Sequence, residues 1–207
     1  MYRSDTAIVT GPESSICHET VSALGRVGMN VRRAARSSEI DSIAATLNSF
    51  DVLVTLPRRR RKTVAQHRNE LESTGLTSEV EYVLRCLQPA IRRMSESGRG
   101  GRIVIVVSAD VDIGTLTGAL AAEVSEVGIS VNSVVVRDDV SDSDACDVIT
   151  YLAGSAAAGQ VTGASYTLTG NEMVVRGAAT PTSKRGERFL PSSVRSRLRA
   201  LHAGRDR

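Results

Sequence analysis

The strongest constraint in this sequence is an alternation. Short apolar runs rich in β-branched residues take turns with longer stretches whose apolar residues recur at helical spacing. Thr6-Ala7-Ile8-Val9-Thr10 is followed by Gly11-Pro12, which reads as a buried strand ending in a turn. Ser14 to Val27 then places Ile16, Val21, Leu24 and Val27 on one face, and Gly28 stands where a helix stop favours glycine. Asn30–Ala34 reads as a second strand, and Ser38 reads as the N-cap of a helix through Ile43 and Leu47. Asp51–Leu56 is a strand stopped by Pro57. Ser78–Ser97 is a long helix in which Pro89 predicts a kink or a break. Ile103-Val104-Ile105-Val106-Val107-Ser108 is the clearest strand. After it come a helix over Thr115–Val127, a strand over Ile129–Val136, a helix over Ser143–Ala153 and a last short strand over Ser165–Leu168.

Continuous apolar strands alternating with amphipathic helices predict an α/β fold with three layers. Its centre is a parallel sheet covered on both faces, doubly wound and Rossmann-like. The chain has 207 residues, 41% of them hydrophobic, enough for one such domain. Its core is aliphatic, because only Tyr2, Phe50, Tyr82, Tyr151, Tyr166 and Phe189 are aromatic. That scarcity argues against single-strand nucleic-acid binding, which stacks bases on rings. No apolar stretch is long enough to span a membrane, and the first residues lack the basic and apolar regions of a signal peptide. Cys17, Cys86 and Cys146 are odd in number and far apart, which suits a reducing cytoplasm and predicts no metal site.

The net charge of +3 is a sum of unlike parts. Residues 176–207 carry nine basic groups against two acidic ones, whereas residues 1–175 carry 17 against 21. This divides the chain into a Rossmann-like domain, 1–175, and a basic, flexible C-terminal tail, 176–207, within which Ser192–Ala203 has the spacing of a basic helix. Inside the acidic body, Arg58 to Arg68 adds six positive charges and no acid. Without a recognised motif, these charges predict only salt-sensitive, non-specific contact with nucleic acid.

Several local phrases, in this order, resemble the short-chain dehydrogenase/reductase family. Thr10-Gly11-Pro12-Glu13-Ser14-Ser15-Ile16-Cys17 is similar to its first phosphate-binding loop, and Gly28-Met29-Asn30-Val31 followed by Arg36 to its second strand. Asp51–Val54 resembles the strand before its Asn-Asn-Ala-Gly motif, and Gly101–Val104, ending at Ser108, the strand that ends in its catalytic serine. Ala119–Glu123, Gly128–Val134 and Tyr151–Gly163 resemble later helices and strands. The resemblance covers residues 6–175. It implies a dinucleotide site using Gly11, Ser15 and Ile16, with Arg36 either pairing with the 2′-phosphate of NADP or lying on the surface.

The chain departs from that family where the chemistry sits. The family's redox step uses Tyr-x-x-x-Lys, but the only lysines here are Lys62 and Lys184, preceded at the fourth position by Arg58 and Thr180. The second and third loop glycines are replaced by Ser15 and Cys17, each adding a Cβ where backbone must approach phosphate or sheet. The stretch from Arg36 to Phe50 is too short for the usual helix–strand unit plus the next helix, so the family's strand whose end lines the adenine pocket is missing. Asn-Asn-Ala-Gly is replaced by Thr55-Leu56-Pro57-Arg58, no asparagine lies between Glu70 and Arg102, and the substrate loop after Val136-Arg137 is short. These departures predict a degenerate active site, a pseudoenzyme with no orthodox dehydrogenase activity and no bound cofactor.

Other chemistry is readable as well. Ser108, Asp110 and Asp112 stand at or just beyond a strand's carboxyl end, where they are either ordinary loop groups or the acid, base and hydroxyl of a repurposed crevice. Arg58, Arg59, Arg60 and Arg61 also follow a strand end, and read either as a solvated loop or as a contact for a phosphate-bearing ligand or an acidic carrier protein. Cys17 and His18 are adjacent on a helix and so point in different directions, which disfavours a nucleophilic pair. Three functions follow. The first is a non-redox structural or regulatory subunit, homo- or hetero-oligomeric through helices 78–97 and 115–127. The second is an enzyme of cyclisation, dehydration or isomerisation, and the third a divergent NADP oxidoreductase.

Overall fold

The computed structural model describes residues 5–47, 49–56, 74–108 and 111–177. Its elements are β1 (Thr6–Thr10), α1 (Ser15–Arg26), β2 (Asn30–Ala34), α2 (Ile40–Leu47), β3 (Val52–Thr55), α3 (Thr74–Ser97), β4 (Gly101–Ser108), α4 (Gly114–Val124), β5 (Ile129–Val136), α5 (Asp142–Gly154), β6 (Ser165–Leu168) and β7 (Met173–Arg176). Seven strands form one sheet in the order β2-β1-β3-β4-β5-β6-β7. Every pairing is parallel except the last, between β6 and β7.

The α/β, doubly wound architecture follows from strands that are apolar on both faces. Residues Ala7, Val9, Val52, Val54, Val104 and Val106 point to one side, where they pack with α1 and α5. Ile8, Leu53, Ile103, Ile105 and Val107 point to the other, beneath α2, α3 and α4. All eight residues of β5 are buried, so alternation brings no polar face. Asn132 in that strand is satisfied without water: its Nδ2 donates to Val161 O at 2.7 Å and its Oδ1 accepts from Ala164 N at 3.1 Å. At the end of the α4 segment Gly128 adopts φ +72. This is the left-handed conformation that glycine enters without a Cβ penalty, and it turns the chain into β5.

Among the described residues β2 is the outermost strand on its side, in keeping with the short 36–50 stretch. Three expectations are corrected. α3 is unbroken through Pro89, because one missing N–H is tolerated in a helix anchored by Val83, Cys86, Leu87, Ala90 and Met94. Ser38 lies inside a short 3-10 turn, Ser37–Glu39, and α2 begins only at Ile40. Ser165–Leu168 is not the last strand. Thr169 N–H donates to Glu172 O at 2.9 Å and Glu172 N–H to Thr169 Oγ1 at 3.0 Å, closing a hairpin that brings Met173–Arg176 back along β6. The tail helix at Ser192–Ala203 and the Arg58–Arg61 loop lie outside the described residues. No described helix is long and apolar enough to cross a membrane.

Candidate functional site

In open α/β sheets ligands sit beyond the carboxyl ends of the strands, where neighbouring crossovers diverge. Here that point lies between β1 and β3, since the chain leaves β1 toward β2 on one side and returns to β3 on the other. The loop after β1 is tightly held. Gly11 N–H donates to Ala34 O at 3.2 Å, and Leu56 N–H to Thr10 O at 2.7 Å. A Cβ at Gly11 would stand 2.2 Å from the Leu56 carbonyl oxygen. Glycine is therefore required at this position by the close approach of the chain leaving β3.

The next residues start α1. Ser14, extended at φ −161, accepts from Cys17 N–H and caps the helix. Ser15, its first residue, donates its hydroxyl to the Asp142 carboxylate at the start of α5. Ile16 is buried in the core between α1, α5 and the sheet. Cys17 is fully buried in the same core, where burial raises its thiol pKa and the nearby Arg33 partly opposes that rise. His18 points away to Glu13, 3.3 Å distant, and Arg33 also reaches Glu13, at 3.5 Å. No Cys17–His18 pair forms. The partial positive charge of the helix N-terminus is thus flanked by two carboxylates, Glu13 and Asp142.

A dinucleotide fits these residues poorly. A pyrophosphate needs bare backbone N–H groups and no like charge at this end of α1. The loop instead presents Ser15 already bonded to Asp142, beside a Glu13 carboxylate paired with His18 and Arg33. Arg36, the candidate for a 2′-phosphate, is exposed beside the outermost strand and precedes the short 3-10 turn.

The other half of the edge is differently equipped. Ser108 ends β4, and Glu79 on α3 holds it twice: Ser108 N–H donates to Oε1 at 2.9 Å and Ser108 Oγ to Oε2 at 2.8 Å. One turn along α3, Tyr82 Oη lies 2.8 Å from Thr10 Oγ1, with Cys86 Sγ at 3.8 Å from the same oxygen. Burial pushes the Tyr82 hydroxyl well above its usual range, and Cys86 is raised for the same reason, so both stay protonated at neutral pH. Thr55 Oγ1, at the end of β3 on this face, is buried without a hydrogen-bond partner. Asp112 is exposed, and its Oδ1 accepts from Gly114 N–H at 3.2 Å where α4 begins. The carboxylate on Ser108 is therefore Glu79. Asp110 and Arg58, Arg59, Arg60 and Arg61 lie outside the described residues.

Sequence reasoning missed Glu79, Tyr82 and Asp142. The spacing of Glu79, Tyr82 and Cys86 on one helical face was a readable signal, whereas the meeting of Ser15 with Asp142 depends on α1 and α5 packing side by side. Chemically, the edge offers a carboxylate with a bonded hydroxyl, a neutral phenol and an unpartnered threonine. Among the described residues no group of three or more His, Cys, Asp or Glu could hold a metal.

No protein-family profile matches the sequence, and no curated protein matches it. Solved structures do match. An acetoin dehydrogenase from Salmonella typhimurium is 19% identical with a TM-score of 0.65, covering 81% of this chain and 96% of that one. One from Enterobacter cloacae is 20% identical at 0.63, with the same coverage. A short-chain dehydrogenase/reductase from Serratia marcescens is 22% identical at 0.63, covering 80% of this chain and 96% of that one. The chain therefore has the short-chain dehydrogenase/reductase fold, with β2 as its outer strand.

Proposed function

We propose that this chain is a short-chain dehydrogenase/reductase-like protein that performs no nicotinamide-dependent redox step and serves as a non-catalytic subunit of a homo- or hetero-oligomer. The observation that supports this reading is the Ser15–Asp142 bond, a contact within the chain at the helix start, where a dinucleotide's pyrophosphate needs bare backbone N–H groups. The absence of any Tyr-x-x-x-Lys supports it independently. Assembly runs through the outer faces of α3 and α4. Leu84 is 43% exposed on the first, and Gly118, Ala119 and Ala122 give the second a surface that another helix can approach closely. A cytoplasmic location suits the three free, buried thiols.

Calorimetric titration with NADPH and NADH, together with light scattering at micromolar protein, tests the proposal. The expected results are no heat up to millimolar nucleotide and a mass above that of the monomer. Micromolar nucleotide binding supports the divergent NADP oxidoreductase, with Arg36 on the 2′-phosphate, and overturns the proposal. A strictly monomeric mass combined with a pull-down free of reductase relatives overturns the subunit role.

One observation favours a second reading. The Glu79–Ser108 and Tyr82–Thr10 contacts place a base and a neutral donor along one sheet edge, the equipment of a cyclisation, dehydration or isomerisation. In that reading Glu79 moves the proton, Ser108 orients it and Tyr82 donates a hydrogen bond. Asp112 is left holding the start of α4. Loss of turnover in both Glu79→Gln and Ser108→Ala, with Asp112→Asn unaffected, is the result this reading requires.

A further inference from the structure

The side of the sheet that ends in β2 carries information the strand ends do not. Asn30 N–H donates to Asp5 O at 2.9 Å, and Ala34 O accepts from Gly11 N–H at 3.2 Å. Both ends of β2 thus bond inward through residues 30 and 34. Because backbone groups alternate along a parallel ladder, Val31 and Arg33 turn their N–H and C=O groups outward, away from β1. No partner for these outward groups occurs among the described residues. The next outward donor, Ala35 N–H, is occupied by a carboxylate: Glu39 Oε2 accepts from it at 2.8 Å.

The side chains point to the same chemistry. Arg32 and Arg36 are exposed. Arg33 is partly exposed on the α1 side, with its Nε buried and lacking a hydrogen-bond partner. A second copy of the chain is a poor occupant, because pairing two β2 edges would bring these arginines together. An extended segment rich in acidic residues has what the edge lacks: backbone groups for Val31 and Arg33, and carboxylates for the exposed Arg32 and Arg36, whereas Arg33 already reaches Glu13 at 3.5 Å.

We propose that β2 is a docking edge for an extended acidic segment of a partner protein, which adds to the sheet as an eighth strand. This deepens the subunit reading and rests on it. Nucleotide titration and mass measurement decide that reading, while amide exchange decides this one.

The experiment is amide hydrogen exchange on the full-length chain. The probe is a blocked peptide alternating glutamate with valine, and the control carries lysine in place of each glutamate. In the free chain the Val31 and Arg33 amides should exchange rapidly. The glutamate peptide should slow them by about tenfold or more, the lysine peptide should not, and Arg32→Glu should weaken binding roughly tenfold at low salt with a smaller effect as salt rises. Circular dichroism confirms that the variant folds. Three results overturn the proposal: amides already protected in the free chain, which means that another segment covers the edge; protection that grows with protein concentration alone, which means that a second copy does; or equal response to both peptides or to neither at millimolar concentration.

Discussion

β4 and β5 pair over eight residues each at the middle of the sheet, while β2 contributes five and lies outermost. The central pair is apolar on both faces: Ile103, Ile105, Val131 and Val134 are at most 1% exposed. β2 alternates exposed with partly covered residues and reaches full burial only at Ala34. Nearby, α2 packs through Ile40 and Ala44 and is also tied to α3 by exposed ion pairs of Asp41 with Arg92 and Arg93. The fold is kept where its core is, and is trimmed on the side where β2 now ends the sheet. The shared fold therefore resides in the central strands, and the difference from a longer sheet lies at the β2 side.

The largest test of this contrast is a pair of truncations. Ile105→Ala should cost about 2–5 kcal/mol in urea unfolding, whereas Arg32→Ala should stay within about 0.5 kcal/mol. Similar losses at both positions would break the comparison. Next is Gly11→Ala. Its Cβ would meet the Leu56 carbonyl at 2.2 Å, and backbone cannot rotate aside, so a loss of about 1–3 kcal/mol is expected. A neutral outcome would mean that the β1–β3 junction is loose. Glu79→Ala leaves the Ser108 N–H and hydroxyl without their carboxylate and should cost about 1–3 kcal/mol, with Glu79→Gln costing less. A neutral Glu79→Ala would show that water already serves Ser108. The smallest effect concerns Asp41, whose carboxyl is held below its ordinary range chiefly by the hydrogen bond from Arg92. Its contribution is present above the ordinary carboxylate pKa and is lost as pH falls through the depressed value. Asp41→Asn should flatten that acid slope slightly, and salt should flatten it in the native chain.

The layers and most elements were legible in the sequence because β-branched runs such as Ile103–Val107 admit little besides a buried strand. The shortened side was also legible, since the 36–50 stretch has no room for another strand. The closing hairpin was not, although Gly170-Asn171 between Tyr166–Leu168 and Met173–Val175 is a turn signal; β7 is largely uncovered beyond Met173, and its residues run directly into the basic segment. At the candidate site, loss of the glycines at 15 and 17 was readable from residue types alone. What replaced them was not, because Asp142 lies 127 positions from Ser15. The carboxylate that holds Ser108 was equally hidden, because Glu79 lies on α3, 29 positions away in sequence.

The strand order also has a consequence for how the protein is made. β1 lies between β2 and β3, the two strands that follow it in sequence, while the sheet's middle waits for β5 to end at Val136. The apolar Ala7-Ile8-Val9 segment has both its partners by Thr55, whereas Ile103–Val107 keeps one edge open until β5 is made, and parallel pairing across a helical crossover forms slowly.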